Sequence, residues 1–455
     1  MNVNERLFAF IKNSPSMFHA VDTMKKELAA HGFILLDETK PWKLEAGKDY
    51  MVTRNHSSII AFRMPQTDDY HYQIVASHSD SPCFLVKPHA ELACEGFIKL
   101  NVEVYGGTLL STWFDRPLSL AGRLLVKEDG KIVSKYVNVD QDLLIIPNLA
   151  IHMNREANQG VRIAAQNDIL PLYAMGEHTD LLACVAQAAC VEKDAIVTHE
   201  LYVYPRAQGT LLGDGGAWIG CPKLDNLQSA FSSLQALLQA HHPGHVSMLC
   251  CFDNEEIGSG SRQGADGCFL ADVMVRIDAA YEKTPAQQAA IRARSFFVSC
   301  DNAHAFHPNY PQKADPNHHV YLNKGVVIKH SARKAYTSDA FSAALFRTLC
   351  EQADVPVQDF VNHNEIIGGG TLGAISSSHV SIPSIDIGLA QLAMHSANET
   401  AGVLDCDYMV RAIRRFYSTH RELMADGVLV QKEDLPKPDE KMAGKENGCD
   451  HHSAD

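Results

Sequence analysis

Several short stretches place metal-capable side chains just beyond an apolar run: His78-Ser79-Asp80, Asp253-Asn254-Glu255-Glu256, Asp301-Asn302 and, reached through Gly388, His395. Asp225 adds a carboxylate at the start of a helical pattern. Each has a plainer reading by itself. His78-Ser79-Asp80 is then a loop hydrogen bond, the 253–256 run a solvated acidic turn, His395 a lone histidine and Asp225 a helix N-cap. Their coincidence predicts something else, because histidine and carboxylate are the donors that suit zinc-like ions. Asp80 can orient the His78 ring. One of the adjacent glutamates can hold metal while the other takes a proton from water, and Asp225 has two oxygens with which to bridge. Two ions roughly 3.5–4 Å apart activate a water between them and polarise a carbonyl, so peptide-bond hydrolysis is the chemistry to expect. His304 and His307, close behind Asp301, either line the pocket or are satisfied loop histidines.

Competing catalytic patterns are missing. The sequence holds no H-E-x-x-H helix, no G-x-S-x-G elbow and no G-x-x-x-x-G-K-[ST] phosphate loop. Gly258-Ser259-Gly260-Ser261 and Gly368-Gly369-Gly370 lack dinucleotide spacing and read as turns. The basic run from Lys324 to Lys334 contains Lys324, Lys329, His330, Arg333 and Lys334. Such side chains mostly stay solvated. In a chain of net charge -14, however, this run is the best local source of positive charge for a substrate carboxylate.

The elements that must position these residues have the rhythm of an α/β sheet. Apolar runs at Ile74-Val75-Ala76, Val246 to Phe252, Phe296 to Val298 and Ile382 to Ile387 alternate with helical patterns. In open α/β sheets the functional crevice lies outside the carboxyl ends of the strands, where the metal-capable residues fall. Leu227, Phe231, Leu234 and Leu238 predict a helix after Asp225 that ends before Pro243. From about Lys87 to Gly213 the texture changes to short strands separated by turns. The expected organisation is a catalytic domain in two parts, 1–86 and 214–430, a β-rich insertion at 87–213, and a disordered polar tail at 431–455.

Composition sets outer limits. At 455 residues a large core is available, and no uncharged apolar run reaches membrane-spanning length. The acidic balance disfavours a nucleic-acid groove, which needs a basic stripe. The N-terminus lacks an export signal, and the twelve cysteines form no C-x-x-C pair, so reduced thiols in the cytoplasm are expected.

The sequence closely resembles the aspartyl aminopeptidase family of di-metal peptidases. The matching stretches are His78-Ser79-Asp80-Ser81-Pro82, Tyr105-Gly106-Gly107, Ser111-Thr112-Trp113-Phe114-Asp115-Arg116, Leu224-Asp225-Asn226-Leu227, Asp253 to Ser259, Asp301-Asn302-Ala303-His304-Ala305, His307-Pro308-Asn309-Tyr310 and Gln391 to Ser396. They run in family order to about residue 430. The resemblance implies a mixed-sheet α/β/α peptidase domain and two divalent ions, Zn2+ foremost with Co2+ or Mn2+ as alternatives. It implies that Asp225 bridges the ions, that His78 and Asp301 complete one site and Glu256 and His395 the other, that Glu255 is the general base, and that Asp80 orients His78. Lys329 and Tyr336 would face the substrate, a peptide with an N-terminal Asp or Glu, with Lys329 meeting the acidic side chain. His152 would reach a neighbouring subunit's active site, making the β-rich insertion a dimerisation domain within a homo-oligomer, a dodecamer built from dimers. Two rivals follow: a di-metal aminopeptidase of neutral or broad specificity, and a catalytically silent assembly protein. Ser79 stands where Thr is common, and Phe306 where Val is common; the latter can alter the pocket.

Overall fold

In the computed structural model, which describes residues 1–240, 243–424 and 427–430, a mixed α/β fold is built around three main sheets. The tail expected at 431–455 lies outside the described residues. The largest sheet has nine strands in the order Ile34–Leu35, Asp49–Arg54, Ser58–Arg63, Val246–Phe252, Tyr72–His78, Phe296–Cys300, Ser384–Gly388, Val326–Lys329 and Val357–Phe360. Four strands in its middle, from Val246–Phe252 to Ser384–Gly388, run parallel. These are the four apolar runs of the sequence. The last begins at Ser384 rather than Ile382, since Pro383 has no amide hydrogen to offer the ladder.

Alternate side chains on these strands enter different cores. Val75, Leu249 and Cys251 join the side covered by helices Val3–Lys12, Leu224–Gln239, Ala340–Gln352 and Asp405–Ser418. Ile74, Ala76, Met248 and Cys250 join the side covered by Phe269–Ala280 and Leu372–His379. Burial on both faces is why the strands read as unbroken apolar runs. In helix Leu224–Gln239, Leu227, Phe231 and Leu234 reach the core as expected, and Leu238 is only partly buried.

The second sheet is antiparallel, in the order Lys131–Asn138, Leu118–Glu128, Ile196–Pro205, Cys83–Cys94, Phe97–Tyr105, Leu172–Met175. Its own core includes Phe84, Trp113, Leu120 and Leu201. The β-rich stretch is therefore a separately packed layer whose strands lie between Cys83 and Pro205. A third sheet was not foreseen from the sequence. It joins Thr210–Leu212, Trp218–Cys221, Glu399–Gly402, Ala390–Leu392 and Ala303–His304 beside the carboxyl ends of the main sheet. Among the described residues no helix is long and apolar enough to cross a membrane, and the described cysteines are free thiols.

Candidate metal centre

The sheet ends deliver the residues as the strand pattern predicts. His78 is the last residue of Tyr72–His78, and Asp80 lies buried in the turn that follows. Beyond Val246–Phe252 the chain bends at Asn254 (φ 64°) and Gly258 (φ 96°), and the short turn between these left-handed residues presents Glu255 and Glu256. Asp301 follows Phe296–Cys300 directly. Its backbone passes so close to Gly388 that a Cβ there would lie 2.0 Å from the Asp301 carbonyl oxygen. Gly388→Ala should therefore push Asp301 aside, lowering stability by about 1–3 kcal/mol, the usual cost of overpacking, and reducing metal content. Denaturant melts with metal analysis check this; wild-type values for both would show that the strands part without moving Asp301.

For Asp225 the plainer of its two readings fails. It is no N-cap: it lies within the first turn of Leu224–Gln239, with φ -82° and ψ 107°, and Lys223 occupies the cap position. Freed from capping, its carboxylate divides between two groups. Oδ1 lies 3.4 Å from His78 Nε2, which is itself 3.6 Å from Asp301 Oδ1. Oδ2 lies 3.6 Å from His395 Nε2, which is 3.2 Å from Glu256 Oε2. Glu255 Oε2 stands at 3.9 Å from His78 Nε2. His78, Asp225 and Glu256 each offer a donor atom, all within 4.8 Å of one another.

The outer ring nitrogens are held elsewhere, leaving both Nε2 atoms facing the cluster. His78 Nδ1 meets the Asp80 carboxylate at 3.3 Å and its carbonyl oxygen at 3.2 Å. His395 Nδ1 lies 3.1 Å from the Gly107 carbonyl oxygen. Asp80 also accepts the backbone N–H groups of Glu255 and Glu256 at 3.2 Å each and the Tyr105 hydroxyl at 2.8 Å. The turn Tyr105-Gly106-Gly107 thus brings the second sheet onto the centre. A Cβ on Gly106 would lie 3.1 Å from Glu256 Cβ, and one on Gly107 3.2 Å from His395 Nδ1.

So many carboxylates strain the local electrostatics. Burial, helped by Asp301, Asp80 and Asp225, pushes Glu255 up to about 7, and burial with Asp225 pushes Glu256 well above its ordinary range. Burial also works against Asp225, yet the His395 and His78 imidazoles hold it below the usual carboxylate range. Burial would lower His78 and His395, but the surrounding carboxylates raise both. Asp225 Oδ1 and Glu256 Oε1 are buried without a hydrogen-bond partner. Orphaned carboxylate oxygens on Asp225 and Glu256, in a cluster that also holds the His78 and His395 Nε2 atoms, fit cations held among them.

The basic run divides on folding. Lys324, Arg333 and Lys334 are exposed, and His330 pairs with Asp359 at 2.7 Å. Only Lys329 turns inward, 3% exposed, with Nζ 3.3 Å from Asp301 Oδ2 and over the ring of buried Tyr336. His304, Phe306 and His307 line an adjacent cavity of about 450 Å³ with Tyr310, His318 and Phe360. Among the described residues no ion pair joins His152 to the clustered side chains of its own chain. His152 lies in an exposed loop with Leu149 (58% exposed), Ile151 and Met153 (74%). The sequence assigned no role to Tyr105, Gly107 or Glu399; the available signals were a glycine pair closing a strand and the place of Tyr105-Gly106-Gly107 among the stretches that resemble the family.

A profile described as aminopeptidase I zinc metalloprotease (M18) matches residues 10–417. A Clostridium novyi protein named probable M18 family aminopeptidase 2 is 42% identical over 422 residues, covering 90% of this chain and 98% of the relative. A chain in the cryo-EM structure of the Ape4 and Nbr1 complex superposes with a TM-score of 0.88 at 34% identity, over 91% of this chain and 85% of that one. The S. cerevisiae mApe1 dodecamer gives a TM-score of 0.80 at 27% identity, over 91% and 96%.

Proposed function

The chain belongs to the aminopeptidase I zinc metalloprotease (M18) family, and on that premise we propose that it removes N-terminal aspartate or glutamate from peptides at a centre of two divalent ions. The observation that carries the reading is the divided carboxylate of Asp225, one oxygen beside His78 and the other beside His395. His78 and Asp301 would hold one ion, Glu256 and His395 the other, and Asp225 would serve both. Zinc is the first candidate, with cobalt and manganese as alternatives. Bound ions supply Lewis acidity at the scissile carbonyl and acidify water. Glu255 takes the proton of the attacking water and passes it to the leaving amine, while Asp80 keeps the His78 ring and the Glu255-Glu256 turn in place.

Lys329 is the proposed partner of the substrate's acidic side chain, with Tyr336 beneath it. Its position is supported by its burial at the crevice and by the solvent exposure of Lys324, Arg333 and Lys334. The neutral-specificity reading draws on the same geometry, because Lys329 already faces Asp301. A panel of N-terminal Asp, Glu, Ala and Leu substrates decides between them. Wild type should prefer the acids, and Lys329→Ala should narrow that gap by roughly ten- to a hundredfold, the worth of a charge-assisted contact of about 1.5–3 kcal/mol. Metal content is measured alongside. No acidic preference in wild type overturns the specificity, and an unchanged ratio in the variant removes Lys329 from it.

The second sheet, taken as the core of an 87–213 insertion between catalytic segments 1–86 and 214–430, is the proposed dimerisation layer. It presents His152 to a neighbouring chain within a dodecamer. The exposed apolar side chains around His152 and the likeness to a solved dodecamer support this. The free cysteines fit a cytoplasmic location. The catalytically silent alternative is disfavoured because every proposed ligand and Glu255 are present and gathered.

A further inference from the structure

Glu399 is 1% exposed and makes no ion pair with Lys or Arg among the described residues. Burying a carboxylate in that way is costly unless both oxygens are satisfied. Here both are, by backbone donors from different segments. The Asp225 N–H donates to Oε2 at 3.0 Å, and the His395 N–H donates to Oε1 at 2.7 Å. The third sheet creates the meeting point: Glu399 pairs with Cys221 across the strands Glu399–Gly402 and Trp218–Cys221, four residues before Asp225 and four residues after His395. Both donor segments have irregular backbones. Ala393 (φ 56°) and His395 (φ 66°) occupy the left-handed region, and Asp225 departs from helical geometry. The left-handed conformations of Ala393 and His395 persist only when their surroundings over-determine them.

We propose that Glu399 is a positioning residue of the metal centre, its carboxylate tying the Asp225 and His395 backbones together so that both side chains reach the same pair of ions. This rests on the reading of Asp225 and His395 as metal ligands. Asp80 makes the corresponding contacts on the other side, gathering His78 with Glu255 and Glu256. The arrangement needs a carboxylate. Glutamine keeps the shape but has one acceptor oxygen, so it can receive only one of the two N–H groups. Aspartate is one methylene shorter and cannot span both.

The test measures zinc affinity by competition with a chelator in wild type, Glu399→Gln, Glu399→Asp and Asp225→Ala, together with the melting temperature of each metal-free protein. Losing a group that holds metal ligands in place typically costs 10- to 100-fold in metal affinity. Both Glu399 variants should show such weakening, with excess zinc restoring most of kcat at near wild-type KM. Wild-type zinc affinity in folded Glu399→Gln, with only a lowered melting temperature, overturns the inference and makes Glu399 a structural carboxylate. Should a Glu399 variant fail to fold, rescue by excess zinc supports the proposal, and failure at every zinc concentration overturns it. Asp225→Ala tests the underlying reading separately: if it binds two zinc ions as tightly as wild type, the ligand assignment fails whatever Glu399 does.

Discussion

A Glu255→Gln enzyme should retain its metal ions and lose roughly 10²- to 10⁴-fold in kcat, the usual contribution of a positioned general base. The separation of roles follows from geometry. Glu256 Oε2 lies 3.2 Å from His395 Nε2, and its other oxygen is buried without a hydrogen-bond partner, as a ligand's would be. Glu255 stands farther out, 3.9 Å from His78 Nε2, beside the cluster rather than within it. The amide preserves size and shape but has no basic oxygen to take a proton. Metal analysis and steady-state kinetics on one preparation decide the matter. If both ions leave together with activity, Glu255 is a ligand and its division of labour with Glu256 is wrong. If activity persists, another group is the base.

The second large effect should come from mixing two inactive proteins. His152 lies in an exposed loop and makes no ion pair with the clustered ligand residues of its own chain among the described residues, so its proposed role calls on a neighbour. In an isologous dimer each chain lends the same patch to the other. A His152→Ala chain keeps its ligands and Glu255 but receives no histidine from another His152→Ala chain. A Glu255→Gln chain is inactive at its own centre and still carries a functional His152. Dissociation and reassembly of an equal mixture should place Glu255 of one chain beside His152 of the other, and random pairing restores up to roughly a quarter of wild-type sites. Native mass measurement verifies the hybrids. If hybrids form and activity remains the sum of the two parents, the shared site is wrong and His152 is an ordinary loop residue.

Much of this protein was legible from the order of its residues. The four parallel strands appear in the sequence as apolar runs because both their faces are buried, and burial on both faces leaves few positions for polar side chains. Their carboxyl ends carry His78, the Glu255-Glu256 pair and Asp301 because strand and ligand are neighbours along the chain. Helix Leu224–Gln239 was visible in its three- and four-residue spacing. All of these are local signals.

What only the tertiary structure decided are relations between residues far apart in the chain. The same carboxylate that reads as a helix cap in sequence lies between two histidines once the first helical turn departs from regular geometry. One lysine of a basic run turns inward while Lys324, Arg333 and Lys334 stay in solvent, a choice made by the strand Val326–Lys329 entering the main sheet. The third sheet, the approach of Gly107 to His395 and the joining of Asp225 to His395 by Glu399 leave no periodic trace, because their short strands and single contacts arise from packing. Local alternation and helical spacing record which face of an element is buried; which distant loops meet at its end depends on the closing of the whole fold.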